Sequence, residues 1–491
     1  MRPTVPDRML AELGRTEAGP DTLALLVRDQ DTRRLLLLRA VLDAADAADP
    51  AVCSVGRRAR LRDDWALLTE ADSPRPPDPG HPRPHGQRPG RHGVGLTPAR
   101  ARLFHPLTGP WALSCLRGLD DRSGPPDERR ARRLRQDLAH FSAVAAVAAA
   151  RAGIPFAVRL TARAGALTLP SLGSLRTAAA GDVPVDVTHR DGCLAIRQPD
   201  APDVFVRLER GIGAWSGALA WTPAHALPGL LPGTAPMPLD DVDPYRAGPG
   251  PRRRTLDGAA TLDHTDYKRW LQAWSGVAAA LRTGGEHRVA EALALLRCLV
   301  PLERPPGAGA DGRDSRSATR HEAFGALLAS PPQHAVALAA TLVHELHHTQ
   351  LAALADLVTL HHAGPEARYF APWKTDPRPY DGLLHGVYSH LALADYFQRR
   401  ALVTPPPDAE YAWSRHARHR AQVGAALPAL VGSPDLTVRG RRLVDEMTAT
   451  YERMAEHPAP RNHTARAQAY VKAVRALWTQ RHTPALPRPK P

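Results

Sequence analysis

One stretch near the middle of the 491-residue chain constrains the fold more than any other, residues 331–362, which read PPQHAVALAATLVHELHHTQLAALADLVTLHH. Ser330 followed by Pro331 is typical of a helix start, and Gly364 followed by Pro365 is typical of a helix end. Between these signals alanine, leucine and valine make the helix apolar almost all round. Because such a helix is buried on every side, we expect the rest of the chain to pack around it.

The centre of this helix carries the motif H-E-x-x-H, from His344 through Glu345 to His348. The two histidines are one turn apart, so their imidazoles leave the same face and can bind one metal ion. Glu345 lies beside them, where it can act on a bound water. The motif also occurs by chance, and hydrogen bonds alone can satisfy a histidine. Inside an apolar helix, however, polar side chains are costly unless something pairs with them, which favours a metal site.

Two histidines leave a metal ion short of ligands, because a catalytic site needs a third protein group and keeps open positions. The nearest candidates along the chain are His361, His362, Glu366, His385 and His390. The first two lie too far along the same helix to reach back, and Glu366 falls in the loop after it. His385 opens the next helical stretch between two glycines, where backbones can approach closely. We predict His385 as the third ligand, with a buried histidine bonded to a carbonyl as the alternative.

The segment before that helix supplies a cation and aromatic side chains. Arg378 lies between Pro377 and Pro379, which present it stiffly, and a guanidinium can bind a carboxylate through two hydrogen bonds. We predict that Arg378 binds a carboxylate of a substrate or cosubstrate; a surface arginine in a turn is the alternative. Trp373 and Tyr388 are predicted to line the same pocket, although bulky aromatics in an aromatic-poor chain also suit the core.

Composition excludes several other classes of protein. The formal charge of +14 is carried almost entirely by scattered arginines, without the aromatic-basic modules of nucleic-acid binders, so no nucleic-acid partner is expected. The four cysteines form no C-x-x-C pair, which favours a reducing compartment. The first residues lack a signal-peptide core, and the longest apolar runs are far shorter than a membrane span. We therefore expect a cytoplasmic protein with no membrane contact.

The expected fold class is α+β and predominantly helical, with a helical metal-binding core and a small antiparallel β meander. Residues 154–209 alternate apolar and polar side chains around an Asp191-Gly192 turn, which predicts the meander. Further helices are predicted after a cap at Asp31 and over 128–152, 266–282, 287–302, 409–430, 436–454 and 464–483. The expected regions are a variable helical N-terminal region (1–130) with a disordered insertion (73–100), a helix and β-meander region (131–260), a helical catalytic region (261–483) and a disordered tail (484–491).

Three runs together resemble a known enzyme family, namely SATRHEAFGALLAS, ATLVHELHHTQLAALADLV and YFAPWKTDPRPYDGLLHGVYSHLALADYF. They resemble the HExxH-type α-ketoglutarate-dependent peptide β-hydroxylases, strongly over about 317–400 and weakly over about 141–302. The resemblance implies iron(II), α-ketoglutarate and dioxygen, with His344, Glu345, His348 and His385 at the site. It also implies a ribosomally made precursor peptide of the FxSxx type as substrate and a radical SAM maturase as a companion protein.

The implied reaction is β-hydroxylation of one residue of the precursor peptide during maturation of a natural product. Three protein ligands would leave positions for the ketoacid and dioxygen. Glu345 then either binds iron as the carboxylate beside two histidines or supports the site when His385 binds. Two other functions use the same residues. One is a zinc metallopeptidase in which Glu345 activates water, and the other is a non-catalytic peptide-binding partner of a maturase.

Overall fold

The computed structural model describes residues 5–73, 96–120, 127–209, 211–247, 259–304 and 316–482. Over these ranges the predicted class is confirmed, because the fold is α+β and mainly helical. Most of the predicted insertion (74–95) and the predicted tail (484–491) lie outside the described ranges. At the end of the insertion the prediction is wrong. Residues 98–103 form a helix whose first turn is capped by the Thr97 hydroxyl, which accepts a hydrogen bond from the Arg100 amide.

The helix numbered α10 carries the H-E-x-x-H motif. In chain order the helices are α1 (Asp7–Gly14), α2 (Pro20–Ala47), α3 (Val55–Asp72), α4 (Pro98–Leu103), α5 (Thr108–Leu119), α6 (Glu128–Arg151), α7 (His264–Ser275), α8 (Val277–Arg282), α9 (Glu286–Leu295), α10 (Ala335–Leu357), α11 (Tyr380–Val403), α12 (Asp408–Ala426), α13 (Val438–Arg453) and α14 (Arg461–His482).

Within the described ranges the strands form three small sheets. They are β1 (Phe156–Ala162), β2 (Ala166–Leu169), β3 (Gly173–Arg176), β4 (Val183–Arg190), β5 (Cys193–Arg197), β6 (Val204–Leu208), β7 (Ala214–Trp215), β8 (Trp221–Pro223), β9 (His225–Leu227), β10 (Met237–Leu239), β11 (Cys298–Pro301), β12 (Ser317–Ala318) and β13 (Ala326–Ala329). Their orders are β1-β4-β5-β6-β7, β2-β3-β8 and β12-β13-β11-β10-β9.

The predicted antiparallel meander is present as the first of these sheets. Asp191 and Gly192 both have positive φ, 51° and 71°, as a two-residue hairpin turn requires, and the turn sets β4 against β5. Alternate residues such as Val187 and Val206 point inward. They share a buried cluster with the alanine-rich face of α6, so the meander is anchored on that helix.

The third sheet was not predicted. The helix expected over 287–302 ends at Leu295, and residues 298–301 form a fully buried strand parallel to β13. A short apolar run is compatible with either a buried strand or a buried helix, so its periodicity does not decide between them. This sheet contributes to the site, because its edge strand β12 packs against α10.

The helix α10 lies in the main core, as the sequence predicts. Leu338, Leu342 and Leu354 are at most 1% exposed, and the His334 ring accepts a hydrogen bond from the Ala337 amide (3.2 Å) at the start of the helix. Among the helices that the structure describes, none is both long and apolar enough to cross a bilayer.

The predicted start of the second helix is wrong. The helix begins at Pro20, and Asp31 lies inside it, where its carboxylate pairs with Arg297 instead of capping the helix (Oδ2 to Nη2, 2.9 Å). A proline in the first turn starts this helix without a side-chain cap. Asp31 therefore forms a tertiary ion pair and does not cap a helix.

A fully buried arginine joins the N-terminal segment to three helices of the core. Arg288 of α9 donates to the carbonyl oxygen of Thr16 (2.8 Å), to Asp395 Oδ2 of α11 (2.9 Å) and to Glu291 Oε2 (3.1 Å). Burial alone would lower the pKa of Arg288, but the two carboxylates outweigh it and raise that pKa. The cation therefore stays charged in the interior.

The same arginine also holds the middle histidine of the motif. His347 Nδ1 lies 2.7 Å from the Val343 carbonyl oxygen, so Nδ1 carries the proton and donates it. His347 Nε2 is then an acceptor, and it lies 3.0 Å from Arg288 Nη1. Both ring nitrogens of His347 are thus used by contacts within the core.

Candidate metal site

The two motif histidines face each other as a metal site requires. His344 Nε2 and His348 Nε2 are 3.2 Å apart, close to the roughly 3.0–3.4 Å expected of two nitrogens each bound about 2.1 Å from one ion. Burial lowers the pKa of His344 to about 3. Burial first, then His344, His385 and Arg378, hold the pKa of His348 well below its usual value. Both rings are therefore neutral at pH 7, which is the form that binds metals.

The helix α11 packs against α10 and brings further predicted residues to the same place. A cavity of about 600 Å³ lies between them, bordered on another side by the β12 strand. Six of the seven predicted site residues line it: His344, Glu345, His348, Trp373, Arg378 and His385. Residues up to 41 positions apart in the sequence, from His344 to His385, thus converge on one chamber.

His385 approaches the histidine pair from the side. Its Nδ1 lies 3.4 Å from His348 Nδ1, whereas His348 presents Nε2 to His344. The two neighbours therefore face different nitrogens of His348, with Nδ1 toward His385 and Nε2 toward His344. Within the described ranges, no three His, Cys, Asp or Glu side chains are already arranged around a common point as metal ligands. For His385 to join the pair on one ion, a ring must rotate.

His390 offers a second candidate for the third ligand. Its ring centroid lies 5.3 Å from that of His344, and its face stacks on the Trp373 indole at 4.5 Å. His390 Nδ1 is 2.9 Å from His419 Nδ1 of α12. Metal-binding histidines almost always donate their second N–H to a partner of this kind, which fixes the ring and leaves the other nitrogen for the metal. His419 was not predicted, because its role depends on how α12 packs on α11.

Glu345 is held by hydroxyl groups from the edge strand. Its side chain is about 4% exposed, and its Oε1 accepts a hydrogen bond from the Ser317 hydroxyl (2.7 Å). Burial raises the pKa of Glu345 to about 7, and hydrogen bonds from Ser317 and Thr319 oppose that rise. Oε1 is 4.0 Å from His344 Nε2. The carboxylate is therefore close enough to the histidine pair to contribute as a ligand or as a base. Ser317 and Thr319 were not predicted.

Arg378 is presented by a short hairpin, as its flanking prolines suggest. Its backbone amide donates to the Tyr369 carbonyl oxygen (2.9 Å), and the Tyr369 amide donates back (3.0 Å). The guanidinium lies over Gly382, where even a methyl group would come within 3.1 Å of Nη2. Its buried Nε finds no partner among the described residues, and none of their carboxylates forms an ion pair with it. Arg378 is thus a fixed and uncompensated cation in the wall of the cavity.

The two predicted aromatic residues have different positions. Trp373 lines the cavity, and its indole rests on Gly386, where a side-chain carbon would come within 2.3 Å of the ring. The prediction for Tyr388 is wrong, because this side chain is completely buried in the core. Its hydroxyl donates to Gln350 Oε1 (3.2 Å) and its ring packs on His347. Helical spacing does not show which side of α11 faces the cavity.

No family model matches the chain, and no curated protein matches it significantly. What the chain does is therefore inferred from its own residues. Neutral imidazoles, a buried carboxylate and an uncompensated guanidinium share one chamber. The nitrogen and oxygen donors suit iron or zinc, and the guanidinium suits a carboxylate bound beside the metal.

Proposed function

We propose that the chain is an iron(II)- and α-ketoglutarate-dependent dioxygenase that hydroxylates the β-carbon of a residue in a ribosomally made precursor peptide. The observation that carries this proposal is one cavity that holds the His344/His348 pair together with Arg378, which has no ion-pair partner among the described residues. A ketoacid cosubstrate needs both a metal and a cation for its far carboxylate. The resemblance of residues 317–400 to peptide hydroxylases supports the same assignment.

The donor set fits iron(II), with His344 and His348 as two ligands and His390, His385 or Glu345 as the third. When bound, iron(II) would supply the redox chemistry that couples decarboxylation of the ketoacid to hydroxylation of a C–H bond. The reaction balances when one oxygen atom of dioxygen enters the peptide and the other enters succinate, with carbon dioxide released. The chain itself binds and orients the two substrates and shields the site from water.

Arg378 would hold the far carboxylate of α-ketoglutarate. A guanidinium can make two parallel charge-assisted hydrogen bonds to a carboxylate. The hairpin positions the Arg378 backbone, and the guanidinium lies over Gly382. Its planar group of donors matches a carboxylate, which limits the side-chain entropy lost for each hydrogen bond formed. Because no described carboxylate competes for Arg378, the anion of the cosubstrate would be its ion-pair partner.

A peptide substrate is supported by the edge strand beside the site. The strand β12 is at the end of its sheet, and residues 317–320 line the cavity. An edge strand offers backbone groups to which an extended peptide can pair. A peptide bound there would pass close to Glu345 and the histidine pair. The proposed companion radical SAM maturase follows from the sequence resemblance alone.

A zinc metallopeptidase is the second candidate, and the position of Glu345 favours it. The carboxylate lies 4.0 Å from His344 Nε2, near enough to act on a metal-bound water. In such an enzyme Arg378, which has no ion-pair partner among the described residues, would bind a carboxylate of the peptide instead of a ketoacid. The third candidate, a peptide-binding protein without catalysis, would have no need of neutral facing histidines.

The hydroxylase and the peptidase are separated by the fate of the peptide. We expect a candidate precursor peptide, incubated with enzyme, iron(II), α-ketoglutarate and ¹⁸O₂, to stay intact and to gain one labelled oxygen, with succinate formed. Mass spectrometry measures both changes, and a reaction without ketoacid is the control. Cleavage of the peptide with zinc under nitrogen, without oxygen incorporation, would replace the hydroxylase by the peptidase. If neither reaction occurs with any metal, the remaining candidate is a peptide-binding protein without catalysis.

Arg378→Ala should raise the α-ketoglutarate concentration needed for half-maximal succinate formation by roughly ten- to a hundredfold, because a charge-assisted hydrogen-bonded contact contributes about 1.5–3 kcal/mol. The affinity for the peptide should change much less. The matched control is Arg368→Ala, which removes an exposed guanidinium from the same hairpin. Equal ketoacid requirements in the two variants would remove Arg378 from the cosubstrate site.

A further inference from the structure

A second cavity, of about 450 Å³, lies between α12, the end of α13 and α14. We call it the α12–α14 pocket. Its charged lining residues are Arg420, Lys472 and Arg475, and no acidic residue is among the described residues that line it. Neutral polar groups of Tyr451, Thr464 and Gln468 complete the polar part of the wall. The pocket therefore suits an anion that also forms hydrogen bonds.

The two arginines are held in place without a counter-ion. The Arg420 guanidinium lies 4.6 Å above the centre of the Tyr451 ring, and the Arg475 guanidinium lies 4.5 Å above that of Phe370. Arg475 Nη2 also donates to the Ala425 carbonyl oxygen (2.9 Å). In the described part of the chain no carboxylate lies within ion-pair distance of either guanidinium, and the buried Arg420 Nε has no partner there. Aromatic faces orient both cations and leave their charge uncompensated.

The pocket is physically continuous with the hairpin that serves the metal site. Phe370, on which Arg475 stacks, is part of the same 369–378 hairpin that presents Trp373 and Arg378 to the first cavity. The helix α12 lies between the two cavities and places a residue next to each. His419 contacts His390 at the metal site, while Arg420 lines the second pocket. One helix, α12, therefore separates the cationic pocket from His390 in the wall of the first cavity.

We propose that the α12–α14 pocket binds an acidic segment of the peptide substrate, away from the residue that is modified. The inference rests on the proposed function. An enzyme that modifies one residue of a peptide must hold the peptide at a second place, and uncompensated cations complement acidic side chains. The hydroxyl and amide groups around the cations can form hydrogen bonds with a peptide backbone. A compact inorganic ion would not need them.

The test measures binding of a fluorescein-labelled hexaglutamate peptide to the metal-free protein by fluorescence anisotropy, with hexaglutamine as the uncharged probe. We expect the triple variant Arg420→Gln/Lys472→Gln/Arg475→Gln to bind hexaglutamate about tenfold more weakly, since each of three partly exposed charge contacts contributes a few-fold. Lys472→Gln alone, at an exposed position, should weaken hexaglutamate binding about two- to threefold and leave the fold unchanged.

The matched control removes three positive charges elsewhere, with Arg190→Gln/Arg207→Gln on exposed positions of the meander and Arg176→Gln on an exposed position of β3. It should bind hexaglutamate within twofold of the parent protein. Equal weakening of both triple variants would reduce the effect to net charge and overturn the proposal. Displacement of the labelled peptide by inorganic phosphate at equal molar concentration would make the pocket a small-anion site and would also overturn it.

This assay uses neither iron nor ketoacid, so its outcome is independent of the hydroxylation test. If the precursor peptide gains labelled oxygen but the three cations play no part in binding, only the proposal for the α12–α14 pocket is rejected. Binding that depends on the three cations, together with zinc-dependent cleavage and no oxygen incorporation, would defeat the hydroxylase and leave the acidic-segment site in place.

Discussion

His344→Ala and His348→Ala should each abolish stoichiometric metal binding while the protein stays folded. The two Nε2 atoms are 3.2 Å apart, so removing either leaves a single imidazole from α10 at the site. Both rings are neutral through burial, and no cation is lost from the core with them. Anaerobic titration with iron(II) or cobalt(II), read by metal analysis after desalting, measures the effect. His362→Ala, at an exposed position just after α10, is the control and should bind metal normally.

The third ligand can be identified with the same titration. We expect His390→Ala to weaken metal binding more than His385→Ala, because His390 Nδ1 already has a hydrogen-bond partner that leaves Nε2 free. His419→Ala should then weaken binding by about 10–100-fold, as loss of such a partner does at other metal sites. A change in the cobalt(II) absorption spectrum of this variant would report the altered ligand directly. A larger loss in His385→Ala, with no effect of His419→Ala, would assign the ligand to His385. Full metal occupancy in both single variants of the motif histidines would place the site off α10.

The second large effect concerns stability. Arg288→Met should lower the free energy of unfolding by about 3–5 kcal/mol, because it removes the cation from a buried ion-pair network and leaves Glu291 without its partner. Glu291 is 1% exposed, so water does not replace the lost contact. Urea denaturation followed by far-UV circular dichroism measures the change, with an unchanged m-value as the sign that the unfolding transition remains comparable.

Arg399→Met is the matched control for this variant. Arg399 pairs with the same Asp395, but its side chain is 40% exposed, so its removal should cost at most about 1 kcal/mol. The double variant Arg288→Met/Glu291→Leu should recover much of the loss, since replacing a whole buried pair by apolar residues is often nearly neutral. An Arg288 variant no less stable than the Arg399 variant would show that the buried network contributes little.

The sequence predicts the features that depend on spacing along one element. The all-round apolar pattern identifies α10, and the four-residue spacing places His344 and His348 on one face. The predicted range of 331–362 is too long at both ends, because the helix spans Ala335–Leu357 and the predicted His361 and His362 lie beyond it. Arg378, between its two prolines, lies in a hairpin with Tyr369. The alternating pattern and its Asp-Gly turn identify the meander. Each of these depends on local geometry, which short-range periodicity reports faithfully.

Contacts between elements could not be predicted in the same way. Ser317 reaches Glu345 across 28 residues and His390 reaches His419 across 29, through packing of a strand and a helix that no local pattern specifies. The strands β11 and β13 are short apolar runs that suit a buried helix equally well. For Tyr388, helical spacing placed the ring on α11 correctly, but which side of that helix faces the cavity depends on its neighbours.

The three histidines of the H-E-x-x-H segment have separate roles, which matters for engineering. His347 points away from the cavity and is secured by Arg288 and the Val343 carbonyl, whereas His344 and His348 point into it. Substitutions on the cavity side should therefore leave the scaffold intact. The helix offers a platform on which the ligand set can be exchanged, for example with a carboxylate at position 344, to select another metal or another reaction on an unchanged fold.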